Sequence, residues 1–421
     1  MTEAERYLDY LNMLRKPFHK LARLRFLQPD GSTAFLIDNN PDNPRSSAFL
    51  SEGQINMNWQ NGQRRSASVT LCNLDGQFDF NLNHIWFGQE IALDEGLVLS
   101  DGSEYYLPQG VFLLNDPVEN LQPVERTVSW NLVDKTAALD GTLGGTLEST
   151  YQVNEGVNIF APITALLIED RGNGTPLDRV KPIFTDWYNG KTQALPDGST
   201  ALLTNTAYDV VADGESESVW TVIEELCAMV NAWVGYDPSG ALRIDPSQDD
   251  ILDSDKPVVW SFSMEEAELL GAAYTVKKSE VFNDFIVVGE RLDNYAQPFG
   301  RAQNRDERSP TNIQTIGRKT KRLSAAGYAT DTQCQDRAEW ELKRSSVLHR
   351  AVNISCTQLF HIDGNQLVTL QRTDKPGSPV ERHLIQSFSR PLTGTEPMSI
   401  TATSVMDFEI ATTPATLEGG E

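Results

Sequence analysis

Apolar and polar residues alternate along short segments in the first third of the chain. In residues 66–72, Ala67, Val69 and Leu71 fall on one side of an extended chain, while serines and a threonine fall on the other. This pattern is typical of a half-buried strand. It predicts strands at residues 21–27, 34–37, 66–72, 88–93, 111–114 and 127–132. Short strands separated by glycine, asparagine and aspartate favour a β-sandwich or a β-barrel, and the spacing in residues 2–15 predicts one helix before them.

The middle of the chain has helical spacing instead. Apolar residues form one stripe over residues 158–168, which predicts a helix. A second helix is predicted over 219–234, because Ser218 is a favourable N-cap and Gly235 a favourable C′ residue. Residues 170–215 are rich in glycine, aspartate, proline and threonine and are typical of loops. A short strand is predicted over 241–244.

Strand patterning returns in the last third. Strands are predicted at residues 258–262, 284–289, 351–357, 366–370, 383–388 and 399–405. Thr330 and Gln333 have the spacing of a capping box, which predicts a helix that continues to about Leu348. Residues 295–322 are polar and predict an exposed loop. The small, polar and acidic residues 406–421 predict a flexible tail.

Two parts of this pattern resemble each other. Residues 65–72 form an alternating segment that begins with arginine, and an apolar strand follows at 88–93. Residues 350–356 and 364–370 repeat that arrangement. Two explanations stay open at this point, since short strands look alike and since a chain can also contain two similar β-domains.

Composition and charge exclude several classes of protein. The chain has 421 residues, of which 39% are hydrophobic and 22% charged, which excludes a disordered chain. It contains no apolar run of 18 residues and its N-terminus has no apolar signal-peptide core, so neither a transmembrane helix nor a signal peptide is expected. A net charge of -24 opposes binding to nucleic acid or an anionic membrane through the overall field. Four scattered cysteines predict buried thiols and a reducing compartment.

A search for catalytic chemistry finds little. The short motifs of zinc proteases, serine hydrolases and P-loop NTPases are not present. Glu224 and Glu225 are adjacent on a predicted helix and do not face each other. None of the five histidines stands at ligand spacing from another: His19, His84, His349, His361 and His383. We therefore assign no catalytic, cofactor-binding or metal-binding residue and expect no cofactor, although a carboxylate pair from distant segments would leave no motif.

Two segments have an open interpretation. Asp38, Asn40 and Asp42 place oxygen ligands at alternate positions, as a calcium loop does. However, Asn43 and Phe49 stand where such a loop has glycine and glutamate, so a turn is favoured and a metal at residues 38–42 is left open. Residues 301–350 contain 11 lysines and arginines against 6 acidic residues. This basic segment could contact an acidic subunit or DNA, and a solvated loop is the alternative.

The order of strand and turn motifs resembles a known family. The motifs are Arg64–Gly76 and Ile85–Leu93, then Gly110–Phe112, Trp220–Leu226, Gly235–Ile244, Asn283–Gly289 and the helix Ala338–Leu348. They resemble the phage tail hub family, which comprises the baseplate hubs of contractile tails and the structural N-terminal part of siphophage tail-associated lysins. The resemblance covers roughly residues 20–405.

The resemblance implies a mainly β fold with an α+β insertion, in which two tail-tube-like β-barrel domains accompany a smaller helix-containing domain. The implied domains are residues 1–140, a first barrel with an N-terminal helix; 141–270, the α+β insertion; 271–405, the second barrel; and 406–421, a flexible acidic tail. Either barrel could be discontinuous.

The resemblance also implies a structural virion protein at the tail tip or baseplate, made in the host cytoplasm. Such a hub is a homotrimer that adapts a sixfold tail tube to a threefold tip, and it is not an enzyme. Its implied partners are distal tail and tube proteins, the tape-measure protein, a central fibre or spike protein, and DNA that passes through the lumen without specific binding. No membrane anchor is implied. Whether residues 295–322 face the lumen or a neighbouring subunit stays open.

A second hypothesis is a carbohydrate-binding β-sandwich protein or a glycoside hydrolase. Eight tryptophans and eleven tyrosines could stack on sugar rings, and 59 acidic residues could contain a catalytic pair. Core packing is the competing explanation for these aromatic residues.

Overall fold

The structure is a computed structural model of the whole chain. It describes every residue outside the following positions: 41–49, 60–61, 74–75, 77, 80–88, 122–125, 169–175, 195–197, 247–255, 277–278, 280, 292–295, 326–327, 347–349, 375–376, 378–379, 406–411 and 415–421. Within the described residues the fold is mainly β.

Two of the helices begin at the N-cap residues that the sequence predicts, Ser218 and Thr330. The α-helices are α1 (Glu3–Met13), α2 (Phe160–Ile168), α3 (Val219–Met229), α4 (Ile313–Ile316) and α5 (Asp331–Ser346). At α1, the Thr2 side chain and Glu5 form a capping box. At α5, the backbone N–H of Gln333 donates to Thr330 Oγ1 at 3.2 Å, and the backbone N–H of Thr330 donates to Gln333 Oε1 at 3.1 Å. The capping box predicted for this helix is therefore confirmed.

A first β-module comes from residues 20–134. Its strands are β1 (Lys20–Leu27), β2 (Thr33–Asp38), β3 (Leu50–Asn58), β4 (Arg65–Cys72), β5 (Ile91–Val98), β6 (Glu104–Leu121) and β7 (Arg126–Asp134). They pair in the order β3-β4-β7-β6-β5-β1-β2, and every pair is antiparallel. The prediction of a β-rich first third is confirmed.

The middle of the chain also contains short strands, which come before, between and after helices α2 and α3 in the sequence. They are β8 (Tyr151–Val153), β9 (Ile183–Phe184), β10 (Thr192–Ala194), β11 (Thr200–Leu202), β12 (Val210–Ala212), β13 (Ala232–Tyr236) and β14 (Leu242–Pro246). Apolar residues from these elements, among them Trp220 and Ile163, form a separate core.

A second β-module comes from the C-terminal part. Its strands are β15 (Val258–Ser263), β16 (Leu269–Val276), β20 (Arg350–Cys356), β21 (Leu367–Gln371), β22 (Glu381–Pro391) and β23 (Met398–Ser404). A small sheet with its own core is built against α5 from β17 (Asp284–Gly289), β18 (Phe299–Asn304), β19 (Thr320–Ala325) and β24 (Thr412–Pro414). β24 pairs with β18 although it belongs to the segment predicted as a flexible tail.

The strand order of the first module repeats in the second. The second module pairs in the order β16-β20-β23-β22-β21-β15, so that β3, β4, β7, β6, β5 and β1 have equivalents that follow the same sequence order. A register shift follows Leu50 in β3 and, equivalently, Leu269 in β16. The two segments that resemble each other in sequence are β4 and β20 with the strands that follow them. One difference is that β15 runs parallel to β21, whereas β1 runs antiparallel to β5.

Both modules belong to one open sheet with one shared apolar core. Among the described strands no sheet closes on itself, so the two predicted barrels are not confirmed. The domain boundaries at residues 140, 270 and 405 stay predictions.

Two predictions of local structure are wrong. Helix α3 ends at Met229 rather than at residue 234, because Asn231 takes the left-handed conformation (φ 52°) and residues 232–236 form β13. Gly235 is therefore not a C′ residue. Residues 295–322 are not one exposed loop, since they contain β18, α4 and the start of β19. The polar side chain of Asn304 is buried there because it donates to Ser309 Oγ at 2.8 Å and Thr311 Oγ1 at 3.1 Å.

No helix in the described part of the chain is both long and apolar enough to cross a membrane. The four cysteines are free thiols, and all except the half-buried Cys72 are buried.

Candidate assembly and channel surfaces

The two β-modules meet edge to edge through β3 and β22. Residues 54–58 of β3 pair antiparallel with residues 387–391 of β22. β22 pairs with β23 along one edge. Along its opposite edge it pairs first with β21, over residues 381–384, and then with β3, over residues 387–391. We call this pairing the intrachain joint. It makes two sheets of similar strand order into one.

Buried charged side chains lie on the core side of the intrachain joint. The Arg390 guanidinium of β22 pairs with the Glu95 carboxylate of β5, and both side chains are fully buried. Arg390 also donates to Gln109 Oε1 and to the carbonyl of Leu359. These bonds connect the first module to the second. Buried ion pairs are costly to break from one side because the remaining charge loses its partner.

Lys20 completes this buried cluster. Its ammonium lies 3.1 Å from the Glu95 carboxylate and donates to Gln358 Oε1 and the Pro391 carbonyl. Burial lowers the pKa of Lys20 to about 8, and Glu95 opposes this shift.

One face of the shared sheet carries uncharged polar side chains across the intrachain joint, with Pro391 opposite Gln54 as an apolar exception. We call it the polar face and define it by Gln54, Asn56, Asn58, Ser66, Ser68, Thr70, Ser129, Asn131, Asn353, Ser355, Ser387, Ser389, Ser399 and Thr401. The registers place these residues directly across from one another, as in Asn56 opposite Ser66 and Ser389. The side chains also bond to each other, for example Thr401 Oγ1 to Asn353 Oδ1 at 3.0 Å.

The polar face arises from strand alternation. Its residues alternate with the apolar residues of the shared core, such as Ile55, Val69 and Ile400. The exposed Glu52 lies at its margin, two residues before Gln54 on β3. A face without lysine or arginine offers no ion pair to a phosphate, and a face without large apolar groups offers little area for hydrophobic adhesion.

Part of the charge in the basic segment at residues 301–350 is paired within the chain. The guanidinium of Arg301 is buried and pairs with Asp284, with Nε 2.9 Å from the carboxylate. Arg308 pairs with Asp306 at 2.6 Å and Arg337 with Glu341 at 2.7 Å. Several of its charges are therefore paired within the chain.

The other residues considered from sequence do not come together as a site. Asp38 is buried and accepts a bond from the backbone N–H of Asn40, while residues 41–49 of the possible calcium loop lie outside the described residues. His84 and His349 also lie outside them. Glu224 and Glu225 are on α3, and burial raises the pKa of each. In the described part of the chain no three histidine, cysteine, aspartate or glutamate residues are placed to hold a metal.

A cavity of about 460 Å³ opens between the modules and the middle region. The Arg64 guanidinium lies 3.8 Å from the centre of the Trp59 ring within it, and burial lowers the pKa of Arg64 to about 10. Two of its carboxylates are ion-paired, Asp245 with Arg243 at 2.9 Å and Asp363 with Arg65 at 2.5 Å.

The described tryptophans are placed for packing rather than for sugar stacking. Five tryptophans are buried and contribute to packing: Trp59, Trp130, Trp220, Trp260 and Trp340. Trp187 and Trp233 are half-buried, and no described tryptophan is among the exposed large hydrophobic residues. Core packing therefore accounts for these tryptophans.

Comparison with solved structures identifies the fold. The structure superposes on a tail protein from Neisseria meningitidis MC58 with a TM-score of 0.59 and 10% identity, covering 92% of this chain and 97% of that one. The 43 kDa tail protein of prophage MuSo2 from Shewanella oneidensis gives a TM-score of 0.55 and 13% identity over 92% and 98% of the two chains. The chain has a phage tail protein fold.

A further similar structure is only partly matched along its own length. A chain of the Francisella PdpA-VgrG complex superposes with a TM-score of 0.52 and 8% identity, over 96% of this chain and 55% of that chain. No protein-family profile matches the sequence, and no curated protein matches it by sequence. At these identities the tail protein fold is detected by its strand arrangement. The structural neighbours share the tail protein fold that the resemblance drawn from the sequence implies.

Proposed function

We propose that this protein is the homotrimeric hub of a phage or phage-like tail tip or baseplate. Each chain supplies two β-modules of equivalent strand order, so three chains supply six. Such a trimer adapts a sixfold tube to a threefold tip. The observation that carries the proposal is the intrachain joint, because it repeats one module beside another at their edges, as subunits of a ring do.

The polar face supports a role in the channel. In the proposed ring it lines the lumen, where DNA or the tape-measure protein passes. An uncharged surface of serine, threonine and asparagine neither pairs with phosphates nor presents a large apolar area. The net charge of -24 adds a weak repulsion of DNA at longer range.

The proposed partners follow from the position in the tail. They are distal tail and tube proteins on one side, a central fibre or spike protein on the other, and the tape-measure protein within. The protein acts as a structural component rather than an enzyme. The ion-paired carboxylates of the cavity and the buried tryptophans are consistent with this role.

Mass measurement with negative-stain imaging tests the hub. We expect particles of three times the chain mass of 46.8 kDa that appear as rings with a central hole. Because tail partners can be needed for closure, the measurement is repeated with the purified tube protein. A strict monomer under both conditions contradicts the proposal. Turnover in a reducing-sugar assay or saturable binding on a glycan array would favour the carbohydrate hypothesis instead.

A further inference from the structure

One edge of the buried Arg64 guanidinium has no hydrogen-bond partner in the described part of the chain. Arg64 is 2% exposed, and neither its Nε nor its Nη2 is bonded to a described residue. The indole Nε1 of Trp59, whose ring lies against this guanidinium, is also buried without an acceptor among the described residues. A buried donor in this state costs free energy, because it has lost water and gained no acceptor. Three such donors in contact are unusual in a folded chain.

Nε and Nη2 form the side of a guanidinium that fits the two oxygens of a carboxylate. We call this side the arginine fork. Arg301 uses its fork in this way, with Nε 2.9 Å from Asp284 Oδ1 and Nη2 2.9 Å from Asp284 Oδ2. Three further arginines of the chain do the same: Arg25 with Asp94, Arg308 with Asp306 and Arg372 with Asp374. The Arg64 fork has the same geometry and lacks the carboxylate.

The Arg64 guanidinium is held in place by close packing. It lies 3.8 Å from the centre of the Trp59 ring. It also packs tightly against Gly235 of β13, since a Cβ atom at that position would lie 2.3 Å from Arg64 Nε. Any side chain at residue 235 would therefore displace it. A group that is fixed before a ligand arrives loses little conformational freedom on binding.

The carboxylates around Arg64 already have partners. Arg64, Asp237, Asp245 and Asp363 all line the cavity of about 460 Å³ between the modules and the middle region. Both oxygens of Asp245 accept from Arg243 Nε, at 3.0 and 2.9 Å. Asp237 accepts two backbone N–H groups of its own turn, and Asp363 accepts from Nη2 of the neighbouring arginine of β4. The cavity therefore has donors to spare and little need of further donors.

Charge and shape restrict what the cavity can hold. The charged side chains in its described lining are balanced, with three cations and three carboxylates: Arg64, Arg243, Lys256, Asp237, Asp245 and Asp363. A ligand with one negative charge disturbs this balance less than a ligand with two. Apolar groups complete the wall, among them Trp187, Pro257 and Val259. The volume lies within the range of small-molecule sites, which combine apolar walls with a few polar groups.

We infer that this cavity binds a monocarboxylate with an apolar body, whose two oxygens occupy the Arg64 fork. The site is separate from the ring that the hub proposal describes. Its wall combines the turn between β3 and β4, the middle region at residues 237–246 and the loop before β21. One ligand would therefore contact both β-modules and the middle region at once. The carboxylate can belong to a free small acid or to an acidic side chain of a partner protein.

Isothermal titration calorimetry on the full chain tests the charge of the ligand. The probe is 3-phenylpropanoate, and its neutral amide and phenyl phosphate are the comparison compounds. We expect saturable binding of the carboxylate and weaker binding of the amide and the phosphate. No saturable binding of the carboxylate, or equal binding of its amide, overturns the site.

The variant R64K tests the fork. It keeps the positive charge and removes the two parallel donors, so the dissociation constant should rise by about tenfold or more. R308K is the matched control, because it removes a fork that is already filled by Asp306 outside the cavity. It should bind the probe as the wild type does. Equal affinity in R64K and R308K overturns the assignment to Arg64.

Thermal denaturation separates a loss of binding from a loss of folding. R64M removes a buried charge that has no side-chain hydrogen bond to a described residue, so its midpoint should not fall below that of the wild type. R301M leaves the buried Asp284 without its ion-pair partner, so its midpoint should fall. If R64M falls as far as R301M, Arg64 serves the packing of the fold and the site is overturned.

Two further measurements identify the ligand's source and position. The capped peptide acetyl-Ala-Glu-Ala-amide presents an acidic side chain without a free terminus. Tighter binding of this peptide than of 3-phenylpropanoate assigns the carboxylate to a partner protein, and the reverse assigns it to a small acid. A crystal structure with 3-phenylpropanoate should show its oxygens on Nε and Nη2 of Arg64. An ordered water alone at the fork, with the probe present, overturns the site.

Discussion

Strands β3 and β16 occupy equivalent places in the two modules, yet among the described strands β3 has a neighbour on both edges and β16 on one. β3 lies between β4 and β22, and Ile55 in its centre is fully buried. β16 has β20 on one side, and Leu270 beside its bulge is 60% exposed. The shared bulge and strand order show that both strands follow one plan. The two strands differ because β3 pairs with β22 of the same chain on its second edge.

Buried ion pairs and hydrogen bonds on the core side also stabilise the covered edge. Arg390 on β22 reaches Glu95 of the first module, and Lys20 and Gln109 complete the cluster. The intrachain joint therefore depends on more than backbone pairing. Four predictions test how far the two edges differ.

The largest effect is expected from removing Arg390. Arg390→Ala leaves the buried Glu95 carboxylate without its main partner, so we expect a loss of about 3–5 kcal/mol in the free energy of unfolding. Chemical denaturation measures it. Arg308→Ala is the matched control, since Arg308 pairs with Asp306 at the surface and is 63% exposed; its loss should be far smaller, because solvent screens an exposed ion pair. Equal losses in both variants would mean that the cluster does not hold the modules together.

Protonation of His361 should give the next effect. Burial lowers the pKa of His361 to about 4, and its ring accepts from Tyr10 Oη at Nδ1 (3.0 Å) and donates from Nε2 to the Val259 carbonyl (3.3 Å). Below pH 6.5 His361 is protonated in the unfolded chain, whereas in the folded chain it is protonated only near pH 4. Stability should therefore fall by about 3 kcal/mol as pH drops through this window.

Thermal denaturation between pH 7 and pH 4 checks that sign. His361→Gln removes the titrating group and should show a shallower loss than the wild type. Parallel pH profiles would show that other groups carry the acid sensitivity.

The equivalent positions Ile55 and Tyr274 allow a direct comparison of the two edges. Ile55→Ala should cost about 2–4 kcal/mol because it opens a cavity in the covered joint. Tyr274→Ala on β16 removes a bond from Tyr274 Oη to Glu381 (2.7 Å) and should cost about 1–2 kcal/mol in the isolated chain. Both are read from urea denaturation. A larger loss for Tyr274→Ala would reverse our ranking of the edges.

The smallest effect on stability is expected on the polar face. Ser68→Lys with Asn131→Lys changes two exposed positions and should alter the free energy of unfolding by no more than about 0.5 kcal/mol each. The assembled protein should nevertheless gain salt-sensitive affinity for DNA. Fluorescence anisotropy with duplex DNA measures this gain, with Leu202→Lys and Val211→Lys as a control of equal charge. Equal affinity in both variants would remove the polar face from the proposed channel.

The sequence predicts where helices and strands lie better than it predicts which strands pair with each other. Thr330 and Gln333 predict the start of α5 because the capping box is a local interaction. Strand β4 was predicted nearly to its ends because alternation is also local. The pairing of β3 with β22 involves residues more than 300 positions apart, and no local pattern specifies it.

The errors have specific physical causes. Val230 and Val234 extend the helical spacing of α3, but the backbone reverses at Asn231. The segment 295–322 contains polar groups whose partners lie in other segments. For example, the Asn283 amide, which lies before the segment, donates to the Thr311 and Gly317 carbonyls. Hydropathy counts such residues as exposed. The polar face was visible as the serines of β4, but its continuity across two modules required the registers.

The intrachain joint also has a kinetic consequence. Because β3 and β22 belong to one polypeptide, their encounter is intramolecular and does not depend on protein concentration. In a ring of such chains, half of the contacts would be complete as soon as each chain has folded. A fused pair of modules therefore allows a ring to form at protein levels too low for separate single modules to meet.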